Sequence, residues 1–173
     1  MLIKTVTTQL LQDLPSEVDL FLCACGYESR STHVASKVAR SANERIALGF
    51  QTQHELRYEE NRKWFVNNGF KVFDADDEEY GAHVAQALRR LSETNGTPKI
   101  VVDISCMNRS RLAKLVTALR SCQAHVIDVA FAYNLAAFSA PSEYIAPTSV
   151  AEPVTPEFAG RSEEHTSELQ SPI

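Results

Sequence analysis

Two stretches of the chain gather side chains able to hold or transform a small molecule. They are residues 25–32, Cys-Gly-Tyr-Glu-Ser-Arg-Ser-Thr, and residues 103–110, Asp-Ile-Ser-Cys-Met-Asn-Arg-Ser. Each sets a carboxylate a few residues from an arginine, Glu28 with Arg30 and Asp103 with Arg109. A guanidinium presents a planar fork that matches phosphate or carboxylate, and a carboxylate serves ribose hydroxyls or proton transfer. Glu28 and Asp103 are therefore the candidate catalytic groups. Gly26, Ser29, Arg30, Ser105, Asn108 and Arg109 are the candidate ligand-binding residues.

Both stretches also have a plain structural reading. In the first, Gly26 permits a sharp turn, Ser29, Ser31 or Thr32 caps the helix that follows, and Glu28 and Arg30 make a solvated pair. On the functional reading, the free amides at that helix start join Arg30 in an anion site. In the second, Asp103 sits within the apolar run Val101-Val102-Asp103-Ile104. A buried carboxylate needs hydrogen-bond partners or a cation. Amides of a neighbouring loop would satisfy it, and Asn108 or Ser110 would cap a helix. Asp, Ser, Asn and Arg together are a denser polar set than a turn requires, which ranks this stretch above the first.

Five strand-like segments, separated by helices, would position these loops. Val18 to Cys25 is nearly continuous in apolar residues, as suits a strand buried on both faces. Arg45 to Phe50, Phe70 to Phe73, Lys99 to Ile104 and Val126 to Tyr133 complete the set. Between them, Ser29 to Ala42 presents Val34, Val38 and Ala42 at helical spacing. Tyr58 to Asn68 turns Trp64 and Phe65 inward and ends at Gly69, where a C-cap glycine belongs. Tyr80 to Thr94 carries the stripe Val84, Ala87, Leu88 and Leu91. Ser110 to Cys122 points Leu112, Leu115, Val116 and Leu119 inward, with Arg111, Lys114 and Arg120 toward water. A leading helix near Thr8 to Leu14 is a further expectation.

Strand–helix alternation implies an α/β domain with a doubly wound, mostly parallel five-stranded sheet of Rossmann-like type over residues 1–140. In such sheets ligands bind outside the carboxyl ends of the strands, where strand order reverses. In the dinucleotide-type order 3-2-1-4-5 the two polar loops follow neighbouring strands; in the flavodoxin-type order strand 3 separates them on the same edge. This placement resembles the Rossmann-like ligand-sensing domains of CRISPR-associated proteins, which also use loops at strand ends.

Sequence motifs narrow the chemistry by what they omit. No Gly-x-Gly-x-x-Gly follows the first strand, and no phosphate-binding Gly-Lys-Ser/Thr, His-Glu-x-x-His or Gly-x-Ser-x-Gly occurs. No cofactor is named by any motif. Cys25 with Arg30 and Ser31 resembles the cysteine-phosphatase loop, though four residues stand where that loop has five. Asp74, Asp76 and Asp77 suit a solvated helix start, with negative charge at the positive end of the dipole; a metal site there is the alternative, and no metal ligand is assigned. His33, His54, His83 and His125 lack partners in sequence. Cysteines at 23, 25, 106 and 122 have no zinc-site spacing and read as reduced thiols.

Hydrophobic residues make up 44% and charged residues 23% of the 173, an ordinary globular composition. A net charge of −5 and no aromatic platform with basic interleaving disfavour nucleic acid as partner. No apolar run reaches the ~18 residues of a membrane span, and no secretory leader is visible, so a cytoplasmic location without membrane association is expected. Nothing fixes an oligomeric state. Four prolines mark residues 141–160 as an extended segment or linker. Residues 161–173, Arg-Ser-Glu-Glu-His-Thr-Ser-Glu-Leu-Gln-Ser-Pro-Ile, resemble a translated sequencing-library adapter. The resemblance implies an artefactual tail on a domain truncated at its C-terminus. Without the one arginine and three glutamates of that tail, the charge of −5 becomes −3.

The functional expectation is a binding or sensor domain for a nucleotide-like or other anionic small molecule at the edge of strands 1 and 4. One alternative is a carboxylate-dependent hydrolase or transferase acting on a nucleoside or nucleotide. Another is an interaction module of a longer protein.

Overall fold

A computed structural model describes residues 15–52, 54–92, 96–122 and 126–136. The expected leading helix, the domain limit at 140, the Pro-rich segment and the adapter-like tail lie outside the described residues.

Five strands form one sheet in the order β3-β2-β1-β4-β5, with every neighbouring pair parallel. They are β1 (Val18–Ala24), β2 (Ala42–Phe50), β3 (Lys71–Ala75), β4 (Lys99–Asp103) and β5 (Asp128–Ala132). The helices are α1 (His33–Val38), α2 (Tyr58–Asn67), α3 (Asp77–Ser92) and α4 (Arg109–Ser121). This is the Rossmann-like, doubly wound α/β arrangement, with strand order reversing between β1 and β4.

The strand sequences explain the layering. Successive residues of a strand face opposite sides, so a central strand with helices on both faces must be apolar throughout. In β1, Val18, Phe21 and Cys23 join α1 and α2 in one core, while Leu20 and Leu22 join α3 and α4 in the other. Each of these side chains is 2% exposed or less, and the valine, leucines and phenylalanine among them are worth roughly 1.5–3 kcal/mol apiece in removed apolar surface. Phe65 and Phe70 stack edge-on at 4.9 Å between ring centres in the first core. Gly69 takes φ +74° after α2, the left-handed C-cap conformation its position demands.

Two expectations about helices need correction. The segment after β1 is not one helix to Ala42. It is a 3-10 turn (Ser29–Thr32), a short α1 and a second 3-10 turn (Ala39–Ser41), and Ala42 already belongs to β2. The inward stripe of α4 is also rotated. Arg111 is fully buried beside Leu115 and Leu119, whereas Val116 is exposed. Positions 111, 115 and 119 are one turn apart, so the stripe runs through the arginine.

Candidate functional site

The first loop is stapled from inside. Cys25 N–H donates to the Leu48 carbonyl at 3.0 Å, carrying the β1–β2 ladder past the end of β1. Beyond it, Ser31 Oγ donates to the Ala24 carbonyl at 3.1 Å and accepts from Gly26 N–H at 3.0 Å. Ser31 is 1% exposed, so this hydroxyl is a buried tie rather than a helix cap. Neither turn of this segment has a side-chain cap, which corrects that reading for Ser29, Ser31 and Thr32. From α2, Asn61 Nδ2 donates to the carbonyls of Gly26 and Glu28, each at 2.8 Å. Arg57 N–H donates to the Tyr27 carbonyl at 3.2 Å.

A carboxylate shapes the second loop. Asp103 ends β4 with 3% exposure, and its Oδ1 accepts from Ser105 N–H at 2.9 Å and from Ser105 Oγ–H. Burial pushes the Asp103 carboxyl above its ordinary value, against the Ser105 hydrogen bonds and the charge of Arg30. Asn108 then caps α4, with its Oδ1 accepting from Arg111 N–H at 2.8 Å. Tyr80 of α3 donates its hydroxyl to Met107 Sδ at 3.4 Å.

A third segment, after β5, closes against both loops. Asn134 N–H donates to Ser105 Oγ at 2.8 Å, and Arg30 Nη1 donates to the Asn134 carbonyl at 2.6 Å. Arg30 also grips Glu28, through Nε at 2.7 Å and Nη2 at 3.2 Å, and lies 5.7 Å from the centre of the Tyr133 ring. The hydrogen bond to Glu28 raises the Arg30 pKa further, so the guanidinium is permanently charged.

These loops flank a half-open crevice of about 160 Å³ at the point where strand order reverses. Gly26, Tyr27, Glu28 and Arg30 line it from the first loop, Phe50 from the end of β2, and residues 105–108 from the second loop. Gly26 is required by close approach. A Cβ there would stand 2.8 Å from Cys106 Cβ. Of the candidate residues, Gly26, Glu28, Arg30, Ser105 and Asn108 meet at the crevice. Asp103 lies behind Ser105. Ser29 and Arg109 are exposed and outside the lining.

The cysteines are free, and those nearest the site are held as thiols. Burial pushes Cys25 up to about 12 and Cys106 up to about 11, where the Glu28 charge adds and the Arg30 charge opposes. Cys25 has no exposed surface. A phosphatase-type nucleophile needs a lowered pKa and access, so Cys25 has the opposite environment.

Arg111 supports the floor. Its Nη1 donates to the Leu48 carbonyl at 3.0 Å, and its Nη2 to those of Gly49 and Ala75 at 2.8 and 2.7 Å. Its Nε meets Asp77 Oδ1 at 3.2 Å, and its Cζ lies 3.7 Å from the Phe50 ring centre and 5.0 Å from that of Tyr80. One guanidinium thus ties the ends of β2 and β3 to α3 and α4. Sequence reading missed Arg111, Asn61 and Asn134; only Arg111 carried a usable signal, its one-turn spacing from Leu115 and Leu119.

The acidic cluster is dispersed. Asp74 accepts from Tyr58 and Arg62, Asp76 Oδ1 from the N–H groups of Glu78 and Glu79, and Asp77 from Arg111. Among the described residues no three metal-ligating side chains are grouped, and no helix is long and apolar enough to cross a membrane.

Fold and crevice together define a Rossmann-like α/β protein with a polar cleft at its topological switch point. No protein-family model and no curated protein matches the chain.

Proposed function

We propose that this domain is a binding or sensor module for a nucleotide-like small molecule, held in the crevice between the β1 and β4 loops. The observation that carries the reading is the meeting of both polar loops on one cleft at the place where open α/β sheets bind ligands. Its lining mixes aromatic faces, Tyr27 and Phe50, with a few polar groups, Glu28, Arg30 and Asn108, the composition typical of small-molecule sites. Pockets for drug-sized ligands have volumes of roughly 300–1,000 Å³. A cleft of about 160 Å³ lies below that range and suits part of a nucleoside or nucleotide, not a dinucleotide.

A positioning role suits Asp103 better than proton transfer, since Ser105 stands between it and the cleft. Glu28 is the carboxylate that lines the cleft. A thermal-shift series with nucleosides and nucleotides tests the proposal. Ligand at 100 times Kd stabilises by about 2.7 kcal/mol, a shift of several degrees. The shift is expected to shrink in Arg30→Ala, which alters the lining, and to persist in Arg109→Ala, which does not. No shift with any member of the series, or equal shifts in both variants, overturns it.

A further inference from the structure

We infer that the crevice selects its ligand by vicinal hydroxyl groups, with Glu28 as their acceptor and Arg30 as the residue that positions Glu28. Ribonucleosides are then preferred to 2′-deoxyribonucleosides and to inorganic anions. This inference rests on the ligand-binding reading above and narrows it to a substrate class.

The argument is one of donor and acceptor supply. A guanidinium has five N–H donors and no acceptor. Arg30 commits Nε and one Nη2 hydrogen to Glu28, at 2.7 and 3.2 Å, and one Nη1 hydrogen to the Asn134 carbonyl, at 2.6 Å. The Nε–Nη2 fork is thus filled by Glu28, only one hydrogen on each Nη remains, and the Arg30–Glu28 pair is neutral. An incoming phosphate must break a charge-assisted bidentate pair to take that fork, and it meets the negative charge of Glu28 in the same cleft.

Glu28 is in the reverse condition. An ionised carboxylate has about four lone-pair sites, and Arg30 fills two of them. The side chain is 36% exposed and lines the cleft, while the Arg30 side chain beneath it is 15% exposed. Arg30 therefore holds the carboxylate in one orientation with its remaining acceptor sites available. Two adjacent hydroxyls supply two O–H donors to one such group. Ser105 and Asn108, which also line the cleft, are already engaged. Ser105 Oγ bridges Asp103 and Asn134, and Asn108 Oδ1 caps α4. Tyr27, Phe50 and Met107 leave apolar surface for a base beside the sugar.

A hydrogen bond to a charged acceptor, left unmade, weakens binding roughly tenfold to a hundredfold. Calorimetric titration of the full chain with the four ribonucleosides, their 2′-deoxy counterparts and inorganic phosphate reads this directly. The best ribonucleoside is expected to bind at least about tenfold more tightly than its 2′-deoxy form, with phosphate a poor competitor. Glu28→Gln is expected to bring that ratio close to one. Arg30→Ala is expected to lower the ratio too, a change that a merely structural arginine would not produce. Equal affinity for ribo and deoxy forms in the unaltered protein, or displacement of the nucleoside by phosphate, overturns the inference and leaves the crevice as a binding site. Absence of binding by every nucleoside of this titration, with no shift by any nucleotide of the thermal-shift series, overturns the ligand-binding reading itself.

Discussion

Arg30 reaches Asn134 across 104 residues of sequence, donating to its carbonyl at 2.6 Å. The amide of the same Asn134 donates to Ser105 Oγ at 2.8 Å. The residue just beyond β5 is therefore held by both loops of the candidate site at once. Any change that moves Arg30 or Ser105 is transmitted to the point where the chain leaves the sheet.

Removing the Ser105 hydroxyl separates these ties. Ser105→Ala leaves the backbone N–H of residue 105 on Asp103 but takes the acceptor from Asn134. A fully buried group left without its partner costs about 1–3 kcal/mol, and the half-buried Asn134 amide should lose less. Amide hydrogen exchange at Asn134 is expected to accelerate, with that of Cys25, on the β1–β2 ladder, unchanged. Equal exchange at Asn134 in both proteins would show that the hydroxyl does not hold this segment.

Arg111 should be the costliest single substitution in α4. Arg111→Leu keeps bulk but takes a donor from three carbonyls, of which that of Leu48 keeps Cys25 N–H, and leaves Asp77 without its cation. A loss of roughly 3–5 kcal/mol is expected from urea unfolding. Arg111→Lys retains the charge without the fork that reaches three carbonyls, and should recover only part of it. Full recovery by lysine would mean that charge, not geometry, is what the position needs.

The two loops touch where Gly26 meets Cys106. Gly26→Ala places a methyl group 2.8 Å from Cys106 Cβ. The strain of such overpacking is about 1–3 kcal/mol. Cys106→Gly removes the opposing atom, so the double variant should lose less than the two single costs combined. Strict additivity in that cycle would show that the loops do not meet here.

Strands were legible where the physics is local. Lys99-Ile-Val-Val-Asp is β-branched and apolar, and β4 forms over that run. The pairing of β1 with β4 was not, because 3-2-1-4-5 and the flavodoxin-type order suit the same alternation of elements. Charge alone places Arg111 toward water, although its spacing from Leu115 and Leu119 sets it on the buried stripe. Asn61 left no mark at all. Its value lies in two loop carbonyls 33 and 35 residues away, and side chain–backbone bonds of that range have no sequence signature.

Two aspartates should give opposite pH responses. Burial raises the Asp103 pKa above its ordinary 3.8, so the fold favours the neutral form. That contribution is fully present below 3.8 and is lost as pH rises through the folded value. Burial also raises Asp77, but hydrogen bonds from Ser110, Arg111 and Asn108 and the Arg111 charge outweigh it and lower its pKa. Its contribution is present above 3.8 and disappears as pH falls through the lowered value. Against the unaltered protein, Asp103→Asn should gain relative stability as pH rises from the acid range toward neutrality. Asp77→Asn should instead lessen the loss of stability on acidification. Urea midpoints followed across that range check both slopes, and a common sign would refute the assignment.

Cys106 offers a chemical probe of the crevice itself. With its pKa pushed up to about 11 by burial and Glu28, it is a thiol at neutral pH. The thiolate is the reactive form, and a free cysteine ionises near ~8.5. Alkylation of Cys106 by iodoacetamide, followed by mass spectrometry, is therefore expected to be much slower than that of free cysteine. Its rate should climb with pH until the pKa is reached. A nucleoside seated in the cleft should slow it further, because Cys106 lines the same wall as Ser105 and Asn108. Rapid alkylation at neutral pH would mean an activated thiol and would return the cysteine-dependent chemistry that the burial of Cys25 and Cys106 argues against.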